Sequence, residues 1–367
     1  MATDVTRPTR RLGGLIALAV ALALVGCGGG STDEPSEAER LHSLEERFET
    51  MPLPSGGLGE GSPPRAVTAG WKTDFSRRAV PLSEFQSGGP GKDGIPALDE
   101  PAFVSAAEID FLEPQEPVLA VDVEHDVRAY PIQILIWHEI VNDAVGGTPV
   151  AVTFCPLCNT ALVYDRRVAG RTLDFGTTGN LRNSDLVMYD RQTETWWQQF
   201  GGRALVGELV GHELEPVPAR IVSWRDFRHR YPDGRVLTRD TGHDRPYGRN
   251  PYSGYDDVAA PPFFPTASSD DRLPPKARVV FIERGRDAVA VPYGTLRRRS
   301  PLTVVVGGHR LVVRWQAGVA SSLDADEIAD GRDVGTVEVL ERGRLVPFDQ
   351  PFWFAVAAFR PETRIIR

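Results

Sequence analysis

The sequence predicts a β-rich α+β fold made of two tandem related units, the second of them degenerate, and three observations carry that prediction. Short apolar stretches alternate with polar or glycine turns, the pattern of strands joined in hairpins. Helical stretches are few and short, with none of the regular strand–helix–strand alternation that builds a parallel sheet. The chain also repeats itself: sliding Val118–Phe154 by 161 positions onto Val279–Trp315 needs no gap and gives nine identities in 37, where chance gives about two or three.

From the N-terminus, Arg7, Arg10 and Arg11 precede an apolar run, Leu12 to Val25, that ends in Leu24-Val25-Gly26-Cys27. The run is shorter than the roughly 20 residues that cross a bilayer, so residues 1–26 read as a cleaved signal rather than a span. L-V-G-C looks like a bacterial lipobox, in which the cysteine becomes the new N-terminus and carries a lipid. Cys27 is therefore the expected lipidation site. The protein is expected to be exported and held by that lipid at the cell envelope, on the outer membrane or the outer face of the cytoplasmic membrane. Residues 27–70, rich in Gly, Ser, Pro and Glu, read as a flexible tether with one helical-looking patch, "SEAERLHSLEERFETM".

The first unit is expected over residues 71–258. "PVLAVDV" and "VRAYP" flank the polar turn Glu124-His125-Asp126, and Pro131 fits the first turn of a short helix, "PIQILIW". "HEIVNDAVGGTPVAVTF" reads as two strands joined at Gly146-Gly147. "ALVYDRRVAGRTLDFG" repeats the hairpin pattern around Ala169-Gly170. Residues 259–276, "AAPPFFPTASSDDRLPPK", have the proline density of a linker or long loop before a second unit over 277–367. A further echo joins the units: "WRDFRHRYPDGRVL" from Trp224 and "WFAVAAFRPETRII" from Trp353 both place proline eight residues after tryptophan.

The formal net charge is −9, and loss of residues 1–26 removes three Arg and one Asp, which takes it to −11. An acidic surface repels nucleic acid, and the run Arg297-Arg298-Arg299 is too short to reverse that, so no nucleic-acid partner is expected. The expected partners are the membrane, through the lipid on Cys27, and an unknown small-molecule or protein redox partner.

The repeat separates scaffold from chemistry. Both copies keep Pro, Gly-Gly and apolar strand residues, which a backbone needs. In the second copy, however, His138 is matched by Arg299, Glu139 by Ser300, Cys155 by Gln316 and Cys158 by Val319. The first unit is where function is expected.

Of three cysteines, two lie in "VTFCPLCNTALVYD", at the end of an apolar run. As a staple the pair would be poor, because closing so small a loop removes little unfolded-state entropy. A redox reading takes Cys155 as nucleophile and Cys158 as resolving thiol, with His138 and Glu139 tuning or relaying protons. It requires one thiol of lowered pKa, exposed at a turn. A metal reading takes Cys155, Cys158 and His138 as ligands, a set that suits Zn(II) with an open position or Cu(I). A third reading is a surface ligand-binding protein in which the thiols are structural. Candidate pocket residues are Trp137, Asn142 and Asp143 beside the histidine. Asp185, Asp190, Arg191 and Trp197 in "LRNSDLVMYDRQTETWWQQF" join them, as do Tyr247 and Tyr252 in "RPYGRNPYSGYD".

"YPIQILIWHEIVNDAVGGTPVAVTFCPLCNTALVYDR", "FGTTGNLRNSDLVMYDRQTETWWQQF" and "YGRNPYSGYD" closely resemble the bacterial and archaeal domain-of-unknown-function family 3179, over roughly residues 95–367. The resemblance implies an exported protein without an established activity. Some relatives are catalogued as selenoproteins, which implies redox chemistry at the CxxC position. This chain carries sulfur at both positions. It has Thr177-Thr178 and Asn180-Leu181-Arg182 where many relatives carry a more apolar, Ser-containing stretch.

Overall fold

The cysteines end up between two stretches of chain that are far apart in sequence. A computed structural model describes residues 65–267 and 270–367. The signal, Cys27 and most of the tether lie outside the described residues. The architecture is β-rich α+β, with mostly antiparallel sheets and, among the described residues, four seven-residue helices, Ile132–His138, Trp224–Arg230, Tyr293–Arg299 and Trp353–Phe359. Helices this short do not hold themselves in water. Burial holds them: every residue of Ile132–His138 is buried. Among the described residues no helix is long and apolar enough to cross a membrane.

Two sheets position the site. One has the order Pro216–Val217, Thr160–Asp165, Thr148–Cys155, Ile140–Val145. The other has the order Phe85–Ser87, Phe175–Arg182, Asp185–Asp190, Trp196–Gln198, Ala204–Val206. The expected hairpins form, the first with a turn of two residues instead of three, since Asp126 begins the return strand. Val145 pairs with Thr148 across Gly146-Gly147, and Val123 pairs with Asp126 across Glu124-His125. Both turns take left-handed backbone at their two central residues, the twist that matches flanking strands. Ala169-Gly170 likewise joins a two-stranded ribbon, Arg167–Val168 and Arg171–Thr172.

The order strand, strand, helix, strand, strand over residues 117–155 recurs over 279–316, with bounds 161 positions on to within two residues. Side-chain ties recur as well. Asp126 accepts from Gly146 N and from Arg235, and Asp287 accepts from Gly307 N and from Arg364. Arg235–Leu237 runs parallel to Asp126–Pro131, and Arg364–Ile365 runs parallel to Asp287–Pro292.

One expected boundary moves. Residues 65–68, assigned to the tether, form a helical turn, and Val67 is buried against Phe85, Val187 and Trp196. An apolar side chain that finds a core leaves the tether. Of the stretch read as a linker or long loop, residues 259–267 and 270–276 form loop laid on the fold: Phe264 and Lys276 are buried, Asp270 O accepts from Trp353 Nε1 and Arg272 donates to Thr363 O. Nor does 277–367 stand apart, since its chain covers the CPLC turn.

Candidate functional site

Cys155 ends its strand, paired with Thr160, so Pro156–Asn159 forms the connection to the next strand. Asn159 takes a φ of 57°, which asparagine tolerates better than most residues. The turn brings Cys158 Sγ within 3.8 Å of Cys155 O, 3.0 Å of Thr160 Oγ1 and 2.8 Å of Asp185 Oδ1. Asp185 starts its strand just after Asn183 and Ser184, both left-handed, and that tight reversal carries its carboxylate inward. The other Asp185 oxygen accepts from Phe200 N at 3.0 Å and from Gln198 Nε2. Thr160 donates to Gln199 Oε1, and Gln199 Nε2 donates to Thr153 Oγ1.

Ligand atoms of Cys155, Cys158 and Asp185 all lie within 4.8 Å of one another. All three residues are buried, and the cysteines are unbonded thiols. Burial pushes the Cys155 thiol up and the Cys158 thiol well up, and the carboxylate of Asp185 adds to both. Burial also raises Asp185 against the hydrogen bonds that favour its charge. Glu139, buried beside the group, is pushed up to about 8 by desolvation and by Asp185. The charges acting on the two thiols thus share one sign, a set that repels its own ionisation and suits a cation.

The thiols do not meet the requirement for exposure at a turn. Cys155 is 1% and Cys158 0% exposed. Distant chain walls them in. Phe352 N donates to Cys158 O at 2.8 Å, Asn159 Nδ2 to Gln350 O, Arg278 to Asn159 Oδ1, and Tyr255 OH to Leu157 O at 2.9 Å. His138 is not the third member of the group. Its Nδ1 lies 2.7 Å from Pro96 O and its Nε2 2.6 Å from Tyr247 OH, so the carbonyl fixes the proton on Nδ1 and the ring accepts from the tyrosine. As the last residue of its helix it points to the Tyr247 loop, whereas the next residue, Glu139, in left-handed backbone, points to the thiols' side.

The remaining candidates divide between the site and its scaffold. The hydroxyl of Tyr252 is raised well above its ordinary value by loss of solvation and, after that, by the nearby charges of Glu139 and Cys155. Tyr247 serves His138 and Thr241. Asn142 ties Phe175 O and N to Asp99, and Asp143 is the buried partner of Arg128 and Tyr130. Asp190 accepts from Thr193 and Trp197 Nε1, so that pair closes a turn and a core position. Arg191 pairs with Asp99. Trp137 is buried, and its Nε1 has no partner among the described residues. Gln199, noted with the sequence stretch around Asp185, lies beside the group, whereas Thr160 and Gln198 carried no expectation. Thr160 had a signal, its place two residues after Cys158 in the returning strand. Gln198 is told apart from surface polar residues only by the fold.

The donor set, two thiols and a carboxyl whose ligand atoms lie within 4.8 Å of one another, fits a transition-metal ion. Cys155, Cys158 and Asp185 would hold it. The model of a family described as a protein of unknown function, DUF3179, matches residues 92–363. No curated protein and no solved structure matches the chain.

Proposed function

Because the chain belongs to the protein family of unknown function DUF3179, its activity has to be read from its own site, and we propose that this site is a metal centre in which Cys155, Cys158 and Asp185 hold zinc. The supporting observation is that three buried ligand atoms all lie within 4.8 Å of one another, a bound that includes the roughly 3.8 Å between two sulfurs on a tetrahedral zinc ion. Two thiolates and a carboxylate carry three negative charges, which a dication offsets better than Cu(I). The carboxylate oxygen also suits zinc more than the softer ion. Three protein ligands leave one position for a further group.

Metal content of the full chain, purified anaerobically, tests this reading. One zinc per chain is expected, lost in Cys155→Ser and Asp185→Asn and kept in His138→Gln. Chelation should lower the melting temperature. Wild-type protein that neither carries nor takes up zinc overturns the reading.

Two unbonded thiols three positions apart favour a second reading, thiol redox chemistry. In that scheme the Cys155 thiolate attacks a disulfide of a substrate and Cys158 resolves the mixed disulfide. The pair becomes a disulfide, and its two protons and two electrons reduce the substrate to a dithiol. The turn would have to open first. A mass loss of two hydrogens on mild oxidation of metal-free protein, reversed by a dithiol, would favour it. We also propose export and lipid anchoring through Cys27, supported by the apolar run ending in L-V-G-C, and common descent for residues 117–155 and 279–316, supported by the recurring bounds and ties. Failure of Cys27→Ser to lose membrane partitioning would remove the anchor.

A further inference from the structure

Among the described residues, one buried carboxylate oxygen, Oδ2 of Asp349, has no hydrogen-bond partner. Leu162, Tyr164 and Phe200 from the earlier part of the chain face Phe281, Phe348 and Asp349 from the later part across a cleft of about 330 Å³. Asp349 is fixed in backbone by a reciprocal pair with Phe281, N to O at 3.0 Å and O from N at 2.9 Å. Its Oδ1 accepts from Gln350 N at 2.7 Å and Ala161 N at 3.4 Å. Its Oδ2 is buried with no partner among the described residues, and the residue is only 5% exposed. A buried acceptor without a donor is costly, and native folds seldom leave one without a reason.

The cleft's rim does not supply the donor. Arg203 pairs with Glu213, Glu283 with Arg360, and Arg284 donates to Pro347 O. The cleft thus combines ring and aliphatic surface from Phe200, Phe281, Phe348 and Leu214 with charged groups already partnered, and Asp349 lines it with one oxygen unsatisfied. Phe200 and Phe281 stand with centroids 5.4 Å apart, and ring faces attract cations. A pocket with apolar walls and one oriented polar group is the usual form of a small-molecule site, and a junction between chain segments is a usual place for one.

We propose that this cleft binds a small organic amine, with its apolar body against Phe200 and Phe281 and its ammonium group donating to Asp349. Burial and the charge of Asp185 push the Asp349 carboxyl up to about 7, so an arriving cation supplies the compensation that the fold withholds. The binding residues are separate from Cys155, Cys158 and Asp185, and the inference stands whether or not those hold zinc.

Calorimetric titration of the full chain at pH 8 with 2-phenylethylamine, 2-phenylethanol and phenylacetate tests the proposal. The amine should bind about tenfold or more tightly than the alcohol, and phenylacetate most weakly, because a charge-assisted hydrogen bond to a desolvated carboxylate is strong. Asp349→Asn should bring the amine down to about the alcohol's affinity, with an unchanged circular dichroism spectrum reporting an intact fold. Leu162→Trp, at a half-exposed position, should remove binding of both by filling the space. Equal affinity for amine and alcohol in the wild type, no binding of any probe, or an Asp349→Asn variant that keeps its amine preference overturns the proposal.

Discussion

His138 shows how a single residue's surroundings decide its role. Burial holds its imidazole down to about 4, against the bond to Pro96 O, which favours the charged ring. Above pH 6.5 the ring is neutral in folded and unfolded chains alike. As pH falls from 6.5 to about 4 only the unfolded chain takes the proton, so stability drops by up to about 3 kcal/mol. Glu139 and Asp349, raised to about 8 and about 7, act in the opposite sense, since the folded chain keeps their protons and gains stability as pH falls through those values. Both are present in His138→Gln too, so the comparison isolates the histidine. Denaturant unfolding at several pH values should give a shallower acid loss for the variant than for the wild type; parallel curves would refute the assignment. The type of this residue was plain in the sequence, but its direction was not. Two residues adjacent in the chain, His138 and Glu139, face different neighbours because the helix ends between them.

Among the elements, the hairpins were the most legible, because a two-residue turn with left-handed backbone selects its own residues. Gly146 and Gly147 are not equivalent, however. A Cβ on Gly146, at φ 55°, would lie 2.3 Å from Val123 O, whereas one on Gly147, at φ 79°, meets nothing within 4 Å. Gly147→Ala should therefore cost only the backbone term, about 1 kcal/mol, and Gly146→Ala should cost that plus a clash with main chain, roughly 3 kcal/mol or more. Thermal melts of the two variants measure the gap; equal losses would mean the hairpin is not packed on the Val123 turn. The strand reading succeeded at Thr148–Cys155 for the same local reason. Beyond the strand it failed to foresee that the CPLC turn faces inward, since alternation gives the faces of a strand and says nothing of what covers its end.

For the whole molecule, the decisive feature is the cover that residues 252–255, 278 and 349–352 place on the cysteine turn. With both sulfurs buried, a thiol reagent reaches them only when that cover lifts. Labelling of Cys155 and Cys158 in native buffer is expected to be slow and to track unfolding, and Arg278→Ala, which removes one of the ties between Asn159 and the cover, should speed it several-fold. Rapid stoichiometric labelling of the wild type would restore the open thiol and the redox reading with it. The same junction of early and late chain encloses the Asp349 cleft, so both candidate sites depend on the late stretch although few of its residues looked chemical in sequence.

By itself the sequence determined the β-rich class, the hairpin registers, the 161-residue recurrence and the pair of sulfurs, because each rests on short-range rules: side-chain alternation, turn stereochemistry and spacing along one strand. Tertiary structure alone decided that Asp185 and not His138 joins those sulfurs, that they are enclosed, and that Oδ2 of Asp349 stands without a donor. Those outcomes depend on contacts between residues 27 to 191 positions apart, whose free energies come from packing that no local pattern encodes.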